Sequence, residues 1–216
     1  MFKKIVLQSI TAATIVVLAG CASFPKEQVP TVSSMPDVNQ YQNKPSVFID
    51  MRFFRGNPNQ AEAAIEMGAL KPQMQGIVER VVNDSALFSH YTFDEFEKDK
   101  SDYTLKVYAY NHSNSGAAAV MGFLCGFTFG IIPAAATDNY TLEVEAVDAS
   151  GNVVEEATNV DAVTTWIGLW FIPLMGNTPN EAVESTLENQ IRAALKNLVD
   201  SGKLKYSALP YLNNKA

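Results

Sequence analysis

Between Tyr103 and Tyr110 apolar and polar residues alternate, with Tyr103, Leu105, Val107 and Ala109 on one side and Thr104, Lys106 and Tyr108 on the other. A period of two predicts a strand with one buried face. Tyr140 to Ala146 repeats the style, Asp148 to Asn152 has the composition of a tight hairpin turn, and Val153 to Thr165 returns as a further strand. An earlier strand begins near Ser46, where Val47 to Phe54 is rich in β-branched and aromatic residues, and it ends at the turn Arg55-Gly56-Asn57-Pro58. A short strand is expected over Leu87 to Phe93, ahead of the charged turn Asp94 to Asp102.

Elsewhere the period is helical. A start at Ala61 to Met67 is interrupted by Gly68, and the better register runs from Leu70, with Pro72 in the first turn, through Met74, Ile77, Val78, Val81 and Val82. Thr178-Pro-Asn-Glu181 has the residues of a capping box, and Val183, Leu187, Ile191, Ala194, Leu195 and Leu198 mark an apolar face that Gly202 closes. The order predicts an α+β fold, a mainly antiparallel sheet with helices on one face.

At two places the alternation stops. Gly116 to Ala136 is apolar or small at every position except Thr128, and Trp166 to Met175 is a shorter apolar stretch rich in aromatics. The strands between them form a hairpin, so both leave one end of the sheet. The first run reaches the roughly 20 residues of a spanning helix, and Gly122, Gly126 and Gly130 recur every four residues, as on a face for close helix packing. A single span would put the strands at 103–110 and 140–146 on opposite sides of a membrane, where they cannot pair. A pair of spanning strands needs alternating polar positions, which the run lacks. Two readings remain: a bent excursion that touches membrane or packs on Trp166 to Met175, and burial in the core. On the first, Phe123, Phe127, Phe129, Ile131, Trp166, Trp170 and Phe171 are the candidate membrane or partner contacts.

The amino terminus adds a location. Met1 to Lys4 is basic, Ile5 to Leu18 is apolar, and Leu18-Ala19-Gly20-Cys21 follows, the layout of an export signal. Four segments are expected: a signal at 1–20, a proline-rich tether at 21–45, one domain at 46–202 and a tail at 203–216. Removing residues 1–20 leaves 14 basic against 23 acidic side chains, a net charge of −9. That balance, with no basic cluster after residue 4, excludes nucleic acid as a partner.

Candidate chemistry is sparse. His90 and His112 are the imidazoles, and no metal, nucleotide or nucleophile-elbow motif accompanies them. His112-Ser-Asn-Ser115 reads as a polar loop, and the carboxylates at 94–102, interrupted by Lys98 and Lys100, read as a solvated turn. Cys125 has no ionisable neighbour within twelve residues to activate it and reads as a small hydrophobe. No cofactor, metal or catalytic residue is expected.

Leu18-Ala-Gly-Cys21 resembles the lipobox of bacterial lipoproteins. The resemblance implies that Cys21 is lipidated and becomes the first residue, and that Ala22-Ser23, in place of aspartate, directs the protein to the outer membrane, facing the periplasm. The second half of the chain resembles small uncharacterised Gram-negative lipoproteins, on Gly130-Ile-Ile-Pro133, Asp148 to Asn152 and Thr164-Thr165-Trp166. The expected role is non-catalytic: envelope assembly, scaffolding or maintenance through lipid contacts and contacts with an envelope protein or a second copy. The alternatives are a subunit of an oligomeric export pore and an envelope hydrolase.

Overall fold

The alternating segments are strands of one sheet. The protein, seen in a computed structural model, is described over residues 20–113 and 115–208. Its elements run β1 (Gly20–Pro25), β2 (Tyr41–Asn43), β3 (Ser46–Arg55), β4 (Ile65–Glu66), α1 (Lys71–Ser85), β5 (His90–Thr92), β6 (Tyr103–Ser113), α2 (Ser115–Phe127), β7 (Ala134–Asp148), β8 (Val153–Gly168), α3 (Pro179–Asp200) and β9 (Ser207–Ala208). The main sheet has the order β1-β8-β7-β6-β3-β4, with β5 also on β3, while β2 and β9 pair separately. It is α+β with a mostly antiparallel open sheet. Residues 1–19, on which the expected export signal and Leu18 and Ala19 fall, and the tail from 209 lie outside the described residues.

The chain separates into two compact units: residues up to Glu27 with His112–Asn139 and Asp161–Thr186, and Gln28–Asn111 with Tyr140–Val160 and the chain from Leu187. In the second unit β3 and β6 are parallel, Val47 opposite Tyr103 through Arg55 opposite Asn111. Such a pair needs a long crossover, and 56–102, which carries α1, supplies it. Val47, Ile49, Met51, Leu105, Val107, Leu142 and Val144 are buried on one face with Met74, Ile77, Val78 and Val81 of α1 and Leu187, Ile191, Leu195 and Leu198 of α3. Arg80 to Glu188 and Arg192 to Asp84 link the two helices at 2.7 and 2.8 Å. The opposite face is polar: Tyr108 donates to Asp50 and Lys106 to Glu145, each at 2.8 Å.

Two local expectations change. Proline content predicts poorly packed backbone over 22–45, but Gly20–Pro25 pairs antiparallel with β8, Val29 and Val38 are buried, and the Val32 N–H donates to Asn189 at 3.0 Å. Proline is tolerated at the end of an edge strand, which is where Pro25 stands, and the valines between the other prolines find apolar cover. Second, the strand expected over Leu87 to Phe93 shrinks to His90–Thr92, because α1 ends on Ala86 in the left-handed region and Leu87 turns fully into the core. The capping box is formed: the Glu181 N–H donates to Thr178 Oγ1 at 3.3 Å and Thr178 Oγ1 donates to Glu181 at 3.0 Å.

The parallel register is clasped where β3 and β6 begin. Asp102 Oδ2 accepts from both the N–H and the hydroxyl of Ser46 at 2.7 Å, and the Asp102 N–H donates to Ser46 Oγ at 3.1 Å. These bonds, the backbone one first, hold the Asp102 carboxyl below its ordinary range. Because the folded value is lowered, its contribution is present above the unfolded carboxylate range of about 4 and is lost as pH falls through the lowered value. Asp102→Asn is therefore expected to lower stability at pH 7 by up to about 1 kcal/mol, solvent screening an exposed carboxylate. Urea denaturation should show the gap to the parent protein closing in strong acid.

Candidate functional site

The first unit carries most of the exposed large apolar side chains among the described residues. Helix α2 has no charged residue and spans 13 residues, about 20 Å at 1.5 Å per residue against a hydrocarbon core of about 30 Å. No helix among the described residues is long and apolar enough to cross a membrane. Phe123, Phe127, Phe129 and Ile131 are 71%, 76%, 63% and 62% exposed, and Trp170 in the 3₁₀ turn Leu169–Leu174 is 70% exposed. These side chains do not fill the core. Cys125 in α2 is buried, its thiol donating to the Ile167 carbonyl at 3.5 Å.

The helix ends in a left-handed turn. The Gly130 N–H donates to the Cys125 carbonyl at 2.8 Å and the Phe129 N–H to the Gly126 carbonyl at 3.1 Å, the two bonds of a Schellman motif. Thr128 Oγ1 donates to the Leu124 carbonyl at 3.0 Å, which also accepts from the Thr128 N–H at 3.1 Å, and accepts from the Ile132 N–H at 3.1 Å, so the one polar side chain of the run gives a partner to an N–H beyond the helix end. Phe129 stands at φ 52° and Gly130 at φ 81°. Glycine belongs at both positions on conformational grounds, yet an exposed phenylalanine occupies the first.

The two apolar stretches meet as one spur. The Leu169 N–H donates to the Gly130 carbonyl at 3.0 Å, and Trp170 Nε1 donates to the Ile131 carbonyl at 3.0 Å. Trp166 stacks on Phe171 at 5.5 Å, and Phe123 lies over Phe127 at 6.3 Å. The glycine series does not form a helix-packing face within the described residues. Gly122 and Gly126 meet nothing that a Cβ would touch, while Gly130 lies beyond the helix end, where a Cβ would sit 3.2 Å from the Leu169 nitrogen. The four-residue spacing assumes a helix through residue 130, and the turn at 128–130 ends it first.

Cys21 belongs to the same unit. It pairs with Ile167 in the β1–β8 ladder, and Ser23 on the same face shares a 2.7 Å hydrogen bond with Thr165. The outer edge of β1 is bonded as well, the Ser23 N–H donating to the Asn177 carbonyl at 2.9 Å. Sequence reasoning missed Val120, Leu124, Ile132, Ile167, Leu174 and Met175, which are also exposed. The charge-free run was their signal, but it gives no direction for each side chain.

Two of the carboxylates at 94–102 have structural employment. Asp94 accepts from the Phe96 N–H at 3.0 Å, and Asp102 belongs to the Ser46 clasp. His112 and Ser113 end β6 and Ser115 opens α2, with Asn114 outside the described residues; the His112 carbonyl accepts from Asn139 at 3.4 Å. Tyr108, on the polar sheet face, is held above the ordinary phenol range by burial first and then by the Asp50 carboxylate it donates to.

No protein-family model and no curated protein matches the sequence. Among solved structures, a PelC dodecamer from Paraburkholderia phytofirmans is similar at 10% identity and TM-score 0.36, over 82% of this chain and 97% of that one. A putative neuraminyllactose-binding hemagglutinin homolog from Helicobacter pylori aligns at 11% identity and TM-score 0.38, over 83% and 90%. A DUF4136 family protein from Bacteroides thetaiotaomicron aligns at 9% and 0.31, over 87% and 97%.

The exposure of the spur separates two substitutions. Phe127→Arg is expected to leave the free energy of unfolding within about 0.5 kcal/mol of the parent, as at an ordinary surface position. Phe129→Gly is expected to raise it by about 0.5–1 kcal/mol, because glycine adopts the left-handed turn without a Cβ penalty. Chemical denaturation of both variants measures the contrast, and unfolding of Phe127→Arg would return the run to the core.

Proposed function

We propose that this protein is a non-catalytic, outer-membrane-anchored lipoprotein of the cell envelope that works in assembly, scaffolding or maintenance through contacts made by the spur. The observation that carries this reading is a charge-free apolar surface in the same unit as Cys21. No residue between 113 and 137, or between 162 and 180, bears a carboxylate, ammonium or guanidinium group. Exposed apolar patches of this kind mark surfaces that meet lipid or protein. The lipobox-like Leu18-Ala-Gly-Cys21 supports the lipid half of the reading. In that step the Cys21 thiol gives up its proton and its sulfur bonds to the glycerol carbon of a phospholipid. The headgroup phosphate leaves with the electron pair, and water then cleaves the Gly20–Cys21 bond, freeing an amine that a further acyl group can take.

Cys21→Ser removes the acceptor thiol. The expected outcome is loss of acyl label and accumulation of uncleaved precursor, or release of the product from the membrane fraction. Mass spectrometry of the parent's first peptide is the check: an unmodified Cys21, or cleavage at another bond, would end the lipoprotein reading.

A further inference from the structure

We infer that the occupant of the spur is the same lipid leaflet that takes the acyl chains of Cys21, and that the anchor reaches the spur without a flexible tether between them. This rests on the reading of Cys21 as the acylated residue and adds to it what the spur touches.

The geometry of β1 carries the argument. A lipidated cysteine at the head of a loose, proline-rich tether would leave the folded part free to sit away from the bilayer. Here Cys21 is a strand residue, paired with Ile167, and Gly20 is paired with Gly168, where β8 ends within the second apolar stretch. Neighbouring strands lie about 4.8 Å apart and successive residues about 3.4 Å along the strand, so Cys21 stands within about 10 Å of the base of the spur. The contact at Gly20 is closer still: a Cβ there would lie 2.3 Å from the Ile172 nitrogen and 2.5 Å from the Phe171 carbonyl carbon. No side chain fits between Gly20 and that backbone, so the position directly ahead of Cys21 lies against the base of the spur.

Acyl chains in a leaflet place their attachment point at the headgroup boundary, and a surface within about 10 Å of that point is within reach of the boundary and of the hydrocarbon beneath it, whose half-thickness is about 15 Å. A protein partner would have to share that space with the chains. The composition fits lipid: two tryptophans and several phenylalanines, the former favoured at the interface. Leaving the spur, the chain meets ionisable side chains at Lys26, His112, Asp138, Asp161 and Glu181, none of them within the apolar segments. Phe129 adds an independent observation. A bulky aromatic held in the left-handed region at an exposed turn is a local strain, and such strain is retained where the side chain has a task.

The test uses the chain's two tryptophans, Trp166 and Trp170, both in the segment from the end of β8 into the spur. The full chain, processed in its own envelope and purified in acylated form, is reconstituted into phosphatidylethanolamine–phosphatidylglycerol vesicles, with and without brominated acyl chains. The expected result is a blue-shifted tryptophan spectrum and loss of emission in the brominated vesicles, with a smaller loss for Phe129→Gly, a variant that eases the fold. An acylated protein that floats with the vesicles while its tryptophans stay unquenched would overturn the inference and leave the anchor reading standing. A Cys21 that carries no acyl group would overturn both.

Discussion

The spur hangs on two hydrogen bonds to neighbouring carbonyls, from the Leu169 N–H to Gly130 and from Trp170 Nε1 to Ile131. Exposed apolar side chains are not held in place by the hydrophobic effect, because in water their exposure is itself unfavourable. A helix of 13 residues is marginal on its own. What fixes α2 and the turn after it is therefore the pairing of backbone polar groups: the Schellman bonds at 129 and 130, the Thr128 hydroxyl, and the clasp to Leu169. Each requires its neighbour. The Gly130 carbonyl reaches Leu169 only because residue 130 adopts φ 81° with a close backbone beside it. Cys125 helps fix the helix through the Ile167 carbonyl, one residue before β8 ends at Gly168. Buried and small, it has the packing role its unactivated surroundings imply.

Much of the fold was legible because its signals are local. Tyr103 to Ala109 alternates in sequence and in burial; Asp148 to Asn152 makes its turn with Gly151 at φ 84°; and the Thr178–Glu181 box forms with the expected atoms. The helix faces were partly legible. In α3 the buried stripe includes Ala182, Thr186 and Gln190 rather than Val183; Gln190 is placed there by a hydrogen bond to the Tyr140 carbonyl at 2.9 Å, a tertiary contact that no propensity encodes. The parallel pairing of β3 with β6 was equally hidden, since alternation tells which face a residue takes but not which strand lies beside it. Around the site, the two apolar stretches and their common end were readable from the hairpin between them. Their burial was not, because an all-apolar run looks the same whether protein or water surrounds it. β1 was masked by Pro25 and the prolines that follow it, and the glycine spacing misled because it presumes a helix that Thr128 to Gly130 had already ended.

On the proposed reading, the distribution of charge sets how this surface meets a membrane. Beyond the signal the chain carries a net −9, and anionic leaflets repel such a protein. The repulsion is short-ranged, screened over about 8 Å at physiological ionic strength, so what matters is which charges stand near the boundary. The segments that build the spur contain none. Apolar transfer can then act there without an ionic penalty, at up to about 1.5–3 kcal/mol for each large side chain fully buried. Exposed side chains that sink only part-way gain less, which is too little for a strongly acidic protein to rely on alone. A covalent anchor at Cys21 would change this balance. It converts the approach into an intramolecular event, so a weak apolar contact suffices once the cysteine is held. A short strand between anchor and contact would then serve better than a long tether, since effective concentration falls as a flexible linker lengthens beyond the span it must cover. The pairing of β1 with β8 is thus the feature on which orientation would depend: releasing it would keep the protein at the membrane while freeing the spur from it.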